Sequence, residues 1–159
     1  MKVTEEKKNK IKQTLKETRE RRSLQIPKVY EIKIDYSHLN KQEKEKIKMY
    51  FVEAKWLYNY ILSQDDPFSY DYKINPIEKY NRDKQKEEVK LQNLPAKLRQ
   101  DVVYSLRQNI FNLSKAKKKG RKAGRLRFKP EYNSLELSQY GKTHIIKSQK
   151  RIKLMGIKK

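Results

Sequence analysis

The chain has no cysteine, two histidines, four glycines and five prolines in 159 residues. Without cysteine there is no disulfide scaffold, no thiol nucleophile and no zinc ribbon or finger. His38 and His144 are too few to build a histidine metal cage. The glycines, Gly120, Gly124, Gly141 and Gly156, do not have the spacing of a phosphate-cradling loop. Hydrophobic residues are scarce at 35%, against roughly 45–50% in ordinary globular chains. A modest core and a solvated remainder are expected. No apolar run approaches the roughly 20 residues that span a bilayer. The start, Met1-Lys-Val-Thr-Glu-Glu-Lys-Lys, lacks the apolar centre of a signal peptide. A soluble, cytoplasmic, nucleoid-associated protein is expected, with no cofactor and no membrane partner.

Acid is the other scarcity. Lys and Arg number 41 against 19 Asp and Glu, a net charge of +22. The imbalance is local: residues 1–26 carry +5, residues 27–101 only +2, and residues 102–159 carry +15. No acidic residue lies between Asp101 and Glu131. A chain this basic repels itself when compact and usually meets a polyanion, most often nucleic acid.

Hydrophobic spacing divides the chain. Residues 4–22 read as a polar helix or basic arm, with Ile11 and Leu15 its only apolar members and Glu6/Lys10 and Glu17/Arg21 as supporting pairs. From Pro27 to Tyr36, Tyr30, Ile32, Ile34 and Tyr36 alternate with charge, the pattern of a half-buried strand. Asn40-Lys-Gln-Glu43 is a capping box. It opens a helix over 41–63 whose stripe is Ile47, Tyr50, Phe51, Ala54, Leu57, Tyr58, Ile61 and Leu62, with Trp56 and Asn59 beside it. Residues 65–95 read as loops with one short helix near 77–91. Pro95 opens another helix, with Leu98, Val102, Leu106, Ile110 and Leu113 on one face, helped by Val103 and Phe111. It dissolves into a glycine-bearing basic loop, 115–129. Asn133–Gln139, Thr143–Lys147 and Arg151–Met155 read as strands. A lone strand is not stable, so the strand near 29–36 needs partners from beyond 133. The expected class is therefore α+β. A small split β module (27–39 with 130–159) is interrupted by a helical insertion (40–129) and preceded by a basic arm (1–26).

The chemistry of sites points to binding. A metal-dependent nuclease needs several carboxylates converging on Mg²⁺, and the last third holds only the isolated Glu131 and Glu136. Asp65 and Asp66 suit a loop or cap. No enzyme is expected. By contrast, Lys115–Lys129 places nine Lys or Arg in fifteen residues, among them Lys117, Lys118, Lys119, Arg121, Lys122, Arg125, Arg127 and Lys129. Cations of this kind neutralise phosphates, and arginine also forks onto phosphate or guanine edges. Phe128 within the run and Tyr132 behind it are candidate stacking rings for unpaired bases. The composition specifies a polyanion without choosing one.

The order of elements resembles the amino-terminal part of transposon-encoded TnpB-like RNA-guided nucleases, relatives of the type V CRISPR effectors. Five stretches, within residues 28–157, carry the resemblance: Val29-Tyr-Glu-Ile-Lys-Ile; Ala54-Lys-Trp-Leu-Tyr-Asn-Tyr-Ile-Leu62; Leu94-Pro-Ala-Lys-Leu-Arg-Gln-Asp101 followed by Leu106; Gly124-Arg-Leu-Arg-Phe-Lys129 with Tyr132-Asn-Ser134; and Arg151-Ile-Lys-Leu154. The resemblance implies a wedge-like β-barrel interrupted by a helical recognition lobe. It implies guide-RNA scaffold binding and reading of a short DNA motif beside the target. It would put DNA-motif contacts near Lys97, Gln100, Asn133 and Ser134, and RNA or heteroduplex backbone contacts on Arg107, Arg125, Arg127 and Lys129. Leu126 and Met155 stand where the family usually has proline, and residues 1–26 are an added arm. The family's RuvC-like nuclease domain and cysteine zinc ribbon have no counterpart in these residues, so cleavage would fall to a separate chain, and marginal stability without RNA or a partner is expected. The rival expectations are a stand-alone RNA- or DNA-binding regulator and a structural component of a ribonucleoprotein.

Overall fold

The computed structural model describes residues 4–26, 35, 37–81, 83–148 and 151–157. The chain divides into two compact units, Met1–Asp35 and Tyr36–Lys159.

In the first unit, α1 (Glu5–Ser23) is a helix with no buried residue. Ile11 and Leu15 are both more than half exposed. Among the described residues its ion pairs are Lys8–Glu5 (2.7 Å) and Lys16–Glu20 (4.0 Å), not the Glu6/Lys10 and Glu17/Arg21 pairs the sequence suggested. Each such pair supplies only about 0.2–0.5 kcal/mol. Glu5 and Glu6 in the first turn and Arg21 and Arg22 in the last complement the helix dipole. The strand expected over 29–36 lies outside the described residues except for Asp35.

The second unit is built on two helices. α2 (Lys41–Leu62) begins as expected: Asn40 Oδ1 accepts from the Glu43 amide at 2.8 Å, and Glu43 reaches back to the Asn40 amide. Tyr50, Ala54, Leu57, Tyr58 and Ile61 are buried on its core face, and Glu53 is buried with them. Phe51 is only half-buried.

Residues 77–91 contain a hairpin rather than the short helix expected there. β1 (Ile77–Tyr80) pairs antiparallel with β2 (Lys86–Val89), Ile77 opposite Val89 and Tyr80 opposite Lys86. Three interactions override the helix propensity of the Lys/Glu run. Asn81 Oδ1 accepts from the Asp83 and Gln85 amides, both at 2.9 Å, and closes the turn. Lys79–Glu87 and Lys86–Glu78 pair across the strands at 3.1 and 3.0 Å. Ile77 is buried at 1% exposure, where β1 packs on α2.

α3 (Ala96–Lys118) follows Pro95 and packs against α2 through Leu98, Val102, Val103 and Leu106. Phe111, expected to help that face, is 50% exposed. The helix runs four residues, 115–118, into the segment read as a basic loop. It stops in a Schellman motif: the Gly120 amide donates to Lys117 O and the Arg121 amide to Ala116 O, with Gly120 at φ +69°.

Asn133–Gln139 forms no strand ladder, contrary to the sequence reading. Leu135 and Leu137 still turn inward and pack on the helical core. Their alternation records one-sided burial without a pairing strand. β3 (His144–Ser148) and β4 (Arg151–Leu154) then form the second antiparallel hairpin, with an irregularity between Ile146 and Ser148. Behind it Tyr50 Oη donates to Met155 O at 3.0 Å, and Ile157 is buried. Gly156, at φ +78°, passes so close to Tyr50 that a Cβ there would collide with its hydroxyl. The architecture is α+β, with three helices and two two-stranded sheets among the described residues. No barrel is closed among those residues, and no described helix is long and apolar enough to cross a membrane.

Candidate nucleic-acid interface

The expected contact residues separate into two populations. Lys117 and Lys118 end α3, Lys119 caps it, and all three are exposed, as are Lys115, Arg121, Lys122, Arg125 and Arg127. No carboxylate pairs with any of them among the described residues. The last-turn lysines also face the negative end of the helix dipole, which favours cations there. Beyond Gly120 the chain is irregular but not unanchored. Leu126 packs on the core and Lys129 turns inward, while Arg125, Arg127 and Phe128 face solvent. Phe128 is 61% exposed, so its ring is open to a base.

Asn59 sets the end of this segment. Its Oδ1 accepts from the Lys129 amide at 2.8 Å and its Nδ2 donates to Lys129 O at 2.9 Å. The side chain thus mimics a strand partner and satisfies both polar groups of one residue. Lys129 Nζ then lies 4.6 Å from the Tyr58 ring and 4.3 Å from the Tyr132 ring. The ammonium is held between aromatic faces instead of projecting towards phosphate.

Tyr132 belongs to the core, at 9% exposure and 5.9 Å from Tyr58. Burial, with Tyr58 and Glu136 nearby, pushes its hydroxyl from the ordinary 10 to about 12. The stacking role expected of it has no open ring face. Of the two expected stacking rings, Phe128 is the exposed one.

Two further expected contacts are already engaged within the fold. Lys97 Nζ sits 2.7 Å from Asp101 Oδ1 and 3.1 Å from Gln100 Oε1. Asp101 is buried and also accepts from Ser138 Oγ. Lys97 therefore neutralises an interior carboxylate. Arg107 donates through Nη2 to Phe68 O at 2.9 Å and to Tyr70 O, and its guanidinium lies 5.9 Å from the Phe68 ring. It clasps the 66–72 loop. That loop is also pinned by Asp66, which accepts from the Phe68 amide and Ser69 Oγ in a turn, the loop alternative of the loop-or-cap role expected of Asp65 and Asp66. The Ser69 and Phe68 bonds hold the Asp66 carboxyl below its ordinary range.

Gln100, Asn133 and Ser134 are exposed. Asn133 lines a groove of about 620 Å³ with Pro130 and Tyr132, facing Ile47, Phe51 and Lys55 of α2. No three Asp, Glu or His side chains among the described residues converge to hold a metal ion.

Sequence reasoning missed Glu53, the buried carboxylate that orders the segment leading to α3. It accepts from the amides of Gln92 (3.3 Å), Asn93 (3.0 Å) and Leu94 (2.7 Å), and from Asn93 Nδ2 at 2.8 Å. It missed Tyr104 as well, 59% exposed on α3. Helical spacing could have found this one, because Tyr104 and Phe111 lie seven apart, opposite the Leu98–Val102–Leu106 stripe. Comparison of the chain with protein-family models, with curated proteins and with solved structures finds no match.

Proposed function

We propose that this chain binds nucleic acid, holding a guide-like RNA scaffold and contacting target-adjacent DNA in the manner of the amino-terminal part of TnpB-like nucleases. The observation that carries the reading is the segment 115–127: eight exposed cations and, from Asp101 to Glu131, no acid to neutralise them. Such a segment offers a polyanion a dense set of phosphate contacts and little competition from the protein itself. The order of the five resembling stretches supports the narrower assignment. So does the use made of one of them, since Asn59 of the Ala54–Leu62 stretch anchors Lys129 of the Gly124–Lys129 stretch. In this reading the β3–β4 hairpin and residues 27–39 belong to a split, wedge-like β module, and α2 through α3 are its helical insertion. The residues act by binding, and no catalytic step is assigned to them.

The test is the salt dependence of affinity for a structured RNA. About six phosphate contacts give a log–log slope near −4 to −5. Replacing Lys117, Lys119, Arg121 and Lys122 by alanine should flatten that slope by roughly 3. Binding that ignores salt, or that is untouched by the fourfold variant, would refute the reading. Competition between the transcript of a transposon end and unrelated RNA then separates guide-like recognition from general RNA binding.

A further inference from the structure

α3 has a second face. Opposite its buried side, Gln100, Tyr104, Gln108, Phe111, Lys115 and Lys118 follow one another at steps of three and four, so they line one strip. All six are exposed. Single exposed apolar side chains are ordinary, but here two large rings share a strip that runs directly into the lysine-rich helix end. Tyr104 is 59% and Phe111 50% exposed, and Lys115 Nζ lies 4.5 Å from the Phe111 ring centroid. No acidic side chain interrupts the strip.

We propose that this strip is a stacking platform for an unpaired stretch of RNA: Tyr104 and Phe111 take bases, and Lys115 and Lys118 take the phosphates between and beyond them. The inference rests on the nucleic-acid reading above and adds the state of the strand and the side chains that choose it. Every base has a π-face, so aromatic stacking tolerates any sequence, provided the base is unpaired. Seven residues of α-helix separate the rings by about 10 Å along the axis, a span that an extended strand crosses in a few nucleotides. The Gln100 and Gln108 amides carry both donors and acceptors, which suit base edges and the 2′-hydroxyl. A duplex hides its base faces and would meet only the lysines. A protein helix would need an apolar strip, whereas here the rings are separated by an amide and followed by cations without a compensating acid.

The probes are a short oligouridine and an RNA duplex of equal length, with binding followed by fluorescence anisotropy on the full chain. The wild type should prefer the single strand. Tyr104→Ala and Phe111→Ala should each weaken single-strand binding roughly five- to a hundredfold while duplex affinity and the salt slope stay unchanged. Tyr104→Phe should restore the loss, because the ring is retained. Both rings lie outside the core, so circular dichroism should match the wild type. Salt-dependent binding in which neither alanine variant weakens the single strand, or in which single strand and duplex fall together, overturns the platform and leaves the general nucleic-acid reading standing. A wild type that binds neither probe overturns both.

Discussion

Glu53→Gln is the sharpest perturbation of this fold. Glu53 is 1% exposed, in the middle of α2, and its two oxygens collect the amides of Gln92, Asn93 and Leu94 together with Asn93 Nδ2. These groups belong to the turn that feeds Pro95 and α3. Gln has the same shape but only one accepting atom, and its NH₂ must face an amide that also donates. At least one N–H is left without an acceptor. The Leu94 amide, at 2.7 Å and beside a side chain only 2% exposed, is the costly one. An unsatisfied buried donor costs about 1–3 kcal/mol. Glu53→Ala removes every acceptor and leaves a void, which raises the loss to about 2–5 kcal/mol. Domains of this kind hold only about 5–15 kcal/mol in total, so Gln removes a sizeable fraction and Ala threatens folding. The assay is urea unfolding at neutral pH, read by circular dichroism and by the fluorescence of Trp56, the sole tryptophan. At this chain length the Gln variant should melt roughly 2–10 °C lower. The midpoint should fall with little change in slope. A Gln variant within about 0.5 kcal/mol of wild type, the range of ordinary surface substitutions, would show that the cradle does not organise this turn.

Asn59→Ala removes both bonds to the Lys129 main chain. It should cost about 1–3 kcal/mol, and trypsin should cut between Arg121 and Lys129 faster than in the wild type; unchanged cleavage would mean that the segment is held from elsewhere. Stability should also fall in alkali. The Tyr132 hydroxyl is raised to about 12 by burial, and the Tyr50 and Tyr58 hydroxyls are raised in the same direction by burial, with Glu53 adding to the shift at Tyr50. A pKa raised on folding favours the neutral form in the native state. That contribution is complete below the unfolded value of 10 and is lost as pH climbs from there through about 12. The share of the tyrosinate absorbance that belongs to Tyr50, Tyr58 and Tyr132 should therefore develop late, together with unfolding, and a Tyr132→Phe variant whose alkaline titration matches the wild type's would contradict the burial.

The two long helices of the second unit were legible because their information is local. Asn40 and Glu43 close a box within one turn, and Pro95 with Leu98, Val102 and Leu106 marks a start and a face without help from distant residues. The β1–β2 hairpin was not. Its strands are four residues each and rich in Lys and Glu, which read as helix formers, and the Lys79–Glu87 and Lys86–Glu78 pairs exist only once the strands meet. The alternation at 133–139 was real, but it reports which side chains face the core. Ladder bonds need a neighbouring strand, and alternation carries no word of one.

The basic segment shows the same division. Composition and spacing by themselves established its excess of cations and its lack of acids. Which charges face water was decided only by the tertiary structure. Lys97, Arg107 and Lys129 resemble their exposed neighbours in sequence, yet each meets a partner far along the chain or across a helix turn: Asp101, the carbonyls of Phe68 and Tyr70, the rings of Tyr58 and Tyr132. Tyr132 and Phe111 exchanged their expected positions for a similar reason. An aromatic ring is apolar enough to enter a core and flat enough to stack outside it, and only the packing of α2 against α3 determines which ring has a cavity to fill.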